Sequence, residues 1–184
     1  CKEADIDNEH HYDNKLYTFP SPNDLISEVK WVHTGGVYDK SGTRQNRAEA
    51  EAIVADVIKR VKEEDDPSIG VVTFSVQQQE LVDDIMSDAQ SQDPELAARM
   101  DKLSEPVFIK NLENVQGDER DVILFAVGYG PDKDGKVSMN FGPLNQAGGW
   151  RRLNVAITRS RKEMVVYSTI TPDQIDLSRT NSEG

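Results

Sequence analysis

The chain has 184 residues, 36% of them hydrophobic, with 33 acidic against 21 basic side chains and a net charge of −12. That length suffices for one domain with a substantial core, and no run approaches the roughly 20 apolar residues of a membrane span. The acidity excludes a broad basic surface of the kind that general nucleic-acid binding leaves behind, though not a narrow basic groove. The first residues, "CKEADIDNEHHYD", are polar and acidic and contain no secretory signal, and Cys1 has no second cysteine to pair with, so a cytoplasmic protein is the expectation. His10 and His11 lack a third ligand at suitable spacing and read as surface residues, not a metal site. The start at Cys1 and the polar ending "DLSRTNSEG" lead us to expect a piece of a larger chain.

Residues 1–24 read as a lead-in segment, closed by "FPSPND". "EVKWVHT" alternates as a strand does, with Val29, Trp31 and His33 on one face, and a glycine-rich loop follows. "NRAEAEAIVADVIKRVKEED" predicts a helix, its apolar stripe made of Ile53, Val54, Val57, Ile58 and Val61. Asn46 and Glu49 have the spacing of a capping box at its start. "SIGVVTF" is a continuous apolar run, the pattern of a strand buried on both faces. A helix over about 77–89 and a shorter one begun by Asp93 and Pro94 come next. "PVFIKN" and "DVILFAVGY" predict two more buried strands around the polar loop "LENVQGDER". After a Gly/Pro/Asn-rich excursion over 130–149, "WRRLNVAITRSR" predicts a helix and "EMVVYST" a last strand. Strand–helix alternation with two-sided apolar strands implies an α/β fold built on a mainly parallel sheet, whose ligands bind at the carboxyl ends of the strands.

Two motifs compete for attention. "GPDKDGKV", Gly130–Val137, nearly spells a phosphate-binding loop after a strand. Val137 stands where a magnesium-binding hydroxyl is required, and the following "SMNFGPLNQAGG" cannot supply the helix whose N-terminus would face the phosphates. "DKDGK" is better read as a turn between two extended arms. The second motif is a pair, "NVQGDERD" at 114–121 and "WRRLNVAITRSR" at 150–161, the latter packing arginines into an otherwise acidic chain.

This pair resembles motifs V and VI of superfamily 1 helicases, in the branch that includes the RNA helicases of nonsense-mediated decay. "NRAEAEAIV" and "GVVTFSVQQQ" fall where that family carries its motif IV region, and "HYDNKLYTFPSP" resembles the segment entering the second motor domain. The resemblance covers nearly the whole chain and implies a RecA-like domain over 25–175, with 176–184 as a polar tail. Large bacterial helicase-like proteins are among the similar chains. Such motors place ATP with Mg2+ between two RecA-like domains, and the first holds the phosphate loop and the metal. This chain carries neither element, so the resemblance is to the second domain alone, with the first domain of the same parent as its partner.

By that resemblance Arg159 is an arginine finger and Arg47 a second arginine toward the γ-phosphate, each suited to it by a planar, permanently charged fork. Glu119 matches the carboxylate that receives the ATP ribose hydroxyls, with Gln116 and Gly117 shaping its loop. Thr73, Gln78 and Asn114 are the candidates facing single-stranded DNA or RNA. From the residues alone, a first-turn role for Arg47 and a solvated role for Glu119 stay open. Arg152 is expected to bridge to Asp118 or Asp121, Arg151 and Arg161 to be surface or fold-supporting, and Asn154 and Thr158 to make local hydrogen bonds. The expected function is an ATP-dependent helicase or translocase in the parent, inactive as this piece alone. The alternative is a degenerate RecA-like scaffold or regulatory interaction module without ATPase.

Overall fold

The computed structural model describes residues 28–146 and 148–175. The lead-in segment, His10, His11 and the tail lie outside the described residues. In chain order the elements are β1 (Glu28–His33), α1 (Arg47–Glu63), β2 (Ile69–Thr73), α2 (Val76–Gln92), α3 (Pro94–Met100), β3 (Phe108–Asn111), β4 (Arg120–Ala126), α4 (Gly149–Ile157) and β5 (Ser160–Ser168). One-turn 3-10 helices stand at Gly142–Asn145 and Pro172–Gln174. The five strands form one sheet in the order β1-β5-β4-β2-β3, every pairing parallel. This is the α/β architecture with a parallel sheet and flanking helices that the RecA-like expectation required.

Successive residues of the central strands feed opposite faces, which is why those strands read as unbroken apolar runs. On one face Val71, Leu124, Val165 and Tyr167 pack beneath Ile53, Val57, Leu81, Val82 and Leu96 of the three helices α1–α3. On the other, Val72, Ile123 and Phe125 meet Leu112 and Val115 of the β3–β4 crossover and Ala156 of α4. Ile53 and Val57 are fully buried, and truncating a side chain such as Ile53 to alanine typically costs about 2–5 kcal/mol.

Local chemistry sets the helix starts. Asn46 caps α1 by accepting from the Glu49 amide at 3.3 Å, and Asp93 caps α3 by accepting from the amides of Glu95 and Leu96, with Pro94 in its first turn. Ser75 caps α2, so that helix starts before the expected Gln77 and runs on to Gln92.

Two expectations need correction. The capping box at α1 is half formed: the Asn46 amide is taken by Gln78 Oε1 (2.8 Å), and Glu49 turns inward to the Gly128 amide (2.5 Å). The last strand begins at Ser160, not near Glu163, because Ser160 pairs with Arg120 and ion pairs to Asp121 hold Arg161 and Lys162 extended. Arg159 therefore follows α4, and Arg161 belongs to a strand. As expected, Val29 and Trp31 share a face; it is about half exposed, because β1 is the sheet's edge and its Val32 faces the main core. The 130–137 stretch forms an antiparallel bridge between Pro131 and Val137 around a turn, as the turn reading required and the phosphate-loop reading did not.

Candidate functional site

The two motif stretches meet on the α4 face of the sheet. After β3 the chain crosses over β2 to reach β4 without a helix, so a few anchors must shape the crossover. Asn111 is buried and folds its side-chain oxygen back onto the amides of Glu113 (2.9 Å) and Asn114 (3.2 Å). Val115 is fully buried in the core beneath α4. Gly117 adopts φ +90°, which an L side chain rarely tolerates, and that conformation rather than crowding is what requires glycine there. Lys110 closes the crossover through Asp118 at 2.6 Å. The crossover is thereby pinned with Glu113, Asn114, Gln116, Gly117 and Glu119 exposed.

Opposite it, Leu153 and Ala156 press α4 onto the sheet, which turns Arg151, Arg152 and Val155 toward the crossover. Between the two lies an open pocket of about 350 Å³ lined by Leu112, Glu113, Gln116, Arg151, Arg152 and Val155. Arg159 stands beyond the helix end: its Nε donates to the Val155 carbonyl (2.8 Å) and an Nη to the Thr158 hydroxyl (2.9 Å). A cation on the last carbonyls of a helix is favoured by the helix dipole, so the guanidinium is held before any ligand arrives. The Arg120 amide donates to the Arg159 carbonyl at 3.1 Å, which brings Glu119 next to Arg159 at the amino ends of β4 and β5.

The charge partners distinguish these arginines. Arg47, Arg60, Arg99, Arg120 and Arg161 each have a carboxylate within 4 Å. Arg151, Arg152 and Arg159 have none among the described residues. The bridge expected from Arg152 to Asp118 or Asp121 is not made, because Lys110 occupies Asp118 while Arg161 and Lys162 occupy Asp121. Arg152 instead donates to the Pro143 carbonyl at 3.4 Å, and Arg151 lies 5.2 Å over the Trp150 ring. Thr158 makes the expected local bond, to the Val155 carbonyl at 3.0 Å, whereas the buried Asn154 Nδ2 has no partner. Arg151 and Arg152 were outside the sequence-derived site. The signal that finds them is the prior engagement of Asp118 and Asp121 by Lys110, Arg161 and Lys162.

The remaining predicted residues are elsewhere. Arg47 opens α1 at the carboxyl end of the sheet, exposed and paired with Glu51 at 2.8 Å. Its neighbour Asn46 bonds Thr169, just past the end of β5, while Arg159 precedes that strand's first residue. Nine residues of strand put the two ends ~30 Å apart. The structure does not bring Arg47 and Arg159 to one phosphate. Thr73 is fully buried and its hydroxyl donates to the Ser75 carbonyl (2.8 Å). Gln78 is fully buried too, its carboxamide clamping both the N–H (2.8 Å) and the C=O (2.9 Å) of Asn46. Neither side chain faces a groove as the chain is folded here.

Gln78 belongs to a buried polar hub that joins α1, α2 and the ends of β4 and β5. Asn46 Nδ2 donates to Thr169 Oγ1 (2.9 Å), which donates to the Tyr129 carbonyl (3.0 Å). Glu49, fully buried, accepts from the Gly128 amide with one oxygen, and no hydrogen bond at normal distance reaches the other among the described residues. Burial pushes its carboxyl well above the usual carboxylate range, against the opposing pull of the Gly128 and Thr169 amides. Next to this hub a second pocket, about 380 Å³, opens at the carboxyl ends of the strands, with Tyr38, Arg44, Gln77, Tyr129, Ser138 and Asn140 in its wall.

A family model described as an AAA domain, AAA_12, matches residues 4–170. The chain belongs to this family. As an AAA domain it is 37% identical over 151 residues to an uncharacterized ATP-dependent helicase of Mycoplasma pneumoniae, the MG140 homolog, covering 77% of this chain and 13% of that protein. It is 34% identical over 170 residues to MG140 of Mycoplasma genitalium, also an uncharacterized ATP-dependent helicase, covering 86% and 14%. The chain thus spans about one seventh of the length of either relative. Among solved structures, the C-terminal domain of a possible DNA helicase from Lactobacillus plantarum is similar at TM-score 0.44 and 10% identity, over 83% of this chain and 82% of that one. T. fusca Cas3 is similar at TM-score 0.46 and 15% identity, over 90% of this chain and 20% of that one.

Three guanidinium groups without carboxylate partners, with the Gln116 carboxamide, suit anionic oxygens, and the exposed Glu119 carboxylate suits sugar hydroxyls. No cluster of three His, Cys, Asp or Glu able to hold a metal ion occurs among the described residues. None of the described helices is long and apolar enough to cross a membrane.

Proposed function

We propose that this chain is the second motor domain of an ATP-dependent helicase or translocase, completing a nucleotide site whose other half lies on a first RecA-like domain of the parent. The observation that carries the reading is Arg159, held at a helix end next to Glu119 with no carboxylate within 4 Å among the described residues, in an acidic chain. When the cleft between the domains closes, Arg159 presents its fork to the terminal phosphate oxygens, where charge builds during transfer. Glu119 accepts hydrogen bonds from the ribose, and Gln116 with the Gly117 turn fixes the height of that carboxylate. The magnesium that accompanies ATP is held by the first domain. Arg47 has no part in this site while α1 stays docked where it is. Nucleotide hydrolysis by this chain alone is not expected, and single-stranded DNA or RNA is the polymer the parent moves along.

The test is ATP turnover by the parent protein with Arg159→Ala beside Arg161→Ala. Removing a finger typically costs 10³–10⁵ in rate, so Arg159→Ala should abolish turnover while ATP still binds. Arg161, two residues away and engaged with Asp121 and Glu105, should be dispensable for catalysis. Equal turnover in both variants removes Arg159 from the site. A wild-type parent without ATPase, even with nucleic acid added, makes the chain a scaffold.

A further inference from the structure

Two loops at the carboxyl end of the sheet engage Asp39 and Asp132 with their own backbone amides and leave their basic side chains exposed. In the 39–45 loop, the Asp39 carboxylate accepts from the Thr43 amide (2.8 Å), the Gly42 amide (3.1 Å) and the Thr43 hydroxyl (3.2 Å). In the 131–137 hairpin, Asp132 accepts from the amides of Lys136 (2.9 Å) and Asp134 (3.0 Å). The loops are joined, since the Tyr38 amide donates to the Pro131 carbonyl at 2.9 Å. Lys40, Arg44, Lys133 and Lys136 are all exposed, and none has a carboxylate within 4 Å among the described residues. Four cations here face three acids, Asp39, Asp132 and Asp134, whereas the whole chain has 33 acids to 21 bases.

Arg44 is also held at φ +58°, a left-handed value uncommon for any residue but glycine. Its loop is fastened to the start of α2 by the Gln45 Nε2 bond to the Gln77 carbonyl (2.9 Å). The 380 Å³ pocket runs past this loop, and Lys40 and Arg44 stand on its wall with the neutral groups of Gln77, Ser138 and Asn140. Its size is near the lower end of ligand pockets, roughly 300–1,000 Å³, enough for an unpaired base and sugar but not for a duplex. Tyr38 and Tyr129 lie 5.4 Å apart and are each 8% exposed, so no open aromatic face offers stacking. Affinity at such a place must come from charge.

We propose that Lys40, Arg44, Lys133 and Lys136 form a rim that holds the backbone phosphates of a single strand of nucleic acid, with an unpaired base entering the neutral pocket beside them. The near-miss phosphate loop of the sequence is on this view a nucleic-acid hairpin, its lysines directed at a polymer backbone and not at ATP. The proposal rests on the helicase reading for the presence of a nucleic-acid substrate, and adds the residues that touch it. Phosphate contacts make binding steeply salt-dependent, with log K falling by about 0.7 per contact per decade of salt for single strands.

The experiment measures binding of a fluorescein-labelled 20-nucleotide oligothymidylate and its oligouridylate counterpart to the full-length parent across a salt series. It compares wild type with Lys40→Ala/Arg44→Ala and with Lys133→Ala/Lys136→Ala. Each double variant should bind more weakly and reduce the salt slope by about 1.4, two contacts' worth. ATPase stimulation by the oligonucleotide should need a higher half-saturating concentration of strand. All four positions are exposed, and a thermal melt verifies that each variant is folded. Wild-type binding with an unchanged slope in both variants overturns the rim and leaves the helicase reading standing. No binding of either strand by wild type at any salt overturns both.

Discussion

The two ends of the sheet solve the same problem, fixing strand ends and loops in place, with opposite chemistry. At the amino end the fasteners are charged and wet. Arg161 reaches both Glu105 and Asp121, Lys162 also reaches Asp121, Arg120 approaches Glu105, and the Ser68 hydroxyl donates to Glu105 at 2.5 Å. At the carboxyl end the fasteners are amide, hydroxyl and a buried carboxyl, and they are dry: Asn46, Glu49 and Gln78 are 0% exposed and Thr169 is 4% exposed. Water screens the first set, so each pair contributes little. Burial raises the stakes for the second, since any partner removed leaves an orphan that water cannot reach. The exception at each end is then informative. Among the described residues, Arg159 stands among paired ions with no carboxylate within 4 Å, and Glu49 sits among satisfied amides with one oxygen unbonded.

The largest expected effect isolates the first exception. Beyond the alanine substitution at Arg159, Arg159→Lys keeps the charge but loses the planar fork, and should recover little of the lost turnover. Full recovery by lysine would mean that bare charge suffices and that the bidentate role is wrong. Next comes the buried hub. Gln78→Ala strips both the donor to the Asn46 carbonyl and the acceptor for its amide, and leaves a cavity. A loss of about 2–4 kcal/mol in urea unfolding is expected. A loss under about 1 kcal/mol would equate the dry end with the wet one and dissolve the contrast.

Glu49 sharpens the same contrast through pH. Its native carboxyl is raised above its value in the unfolded chain, about 4.3. As pH climbs past that value the unfolded state gives up this proton while the native state keeps it. The native state then binds more protons, so this residue makes stability fall with rising pH until its own native value is reached. Glu49→Gln keeps an acceptor for the Gly128 amide and cannot ionise. The variant should gain on wild type from pH 5 upward, by at most about 1.4 kcal/mol per pH unit, the limit for one proton. A variant-minus-wild-type difference that stays flat from pH 5 to pH 8 would mean that Glu49 is ionised in the folded protein.

Much of this was legible in the sequence, for identifiable reasons. Runs such as "SIGVVTF" and "DVILFAVGY" announce strands because both of their faces are covered, and Asp93–Pro94 announces a helix because a cap and a fixed φ coincide. Gln116, Gly117, Glu119 and Arg159 were singled out by the resemblance of two motifs to a helicase family, and the fold gathers Glu119 and Arg159 at one end of the sheet. Pairing was not legible. Arg152 was expected on Asp118 or Asp121, but strand pairing had already delivered Lys110, Arg161 and Lys162 to those acids. Burial of polar residues was equally hidden: "SVQQQE" reads as a wet helix start, yet the second glutamine, Gln78, points straight into the hub. Arg47 was grouped with the site by the same resemblance but does not share its place, because α1 runs antiparallel to the strands and carries its first turn to the opposite end.

The smallest effect is expected where most ions meet. Arg161→Ala removes the guanidinium shared by Glu105 and Asp121, both partly exposed. Hydrogen bonds from the Ser68 hydroxyl and Arg161 hold the Glu105 carboxyl below the usual range, and after the substitution Ser68 remains to it while Lys162 remains to Asp121. No charge is left buried without a partner. The cost should stay below about 1 kcal/mol and shrink further in high salt. A loss of several kcal/mol would mean that Arg161, by holding β5 extended from Ser160 onward, is what sets the position of Arg159. The alanine control in the turnover experiment would then have to move to Lys162, whose single bond to Asp121 tests charge removal on the same strand without touching Glu105.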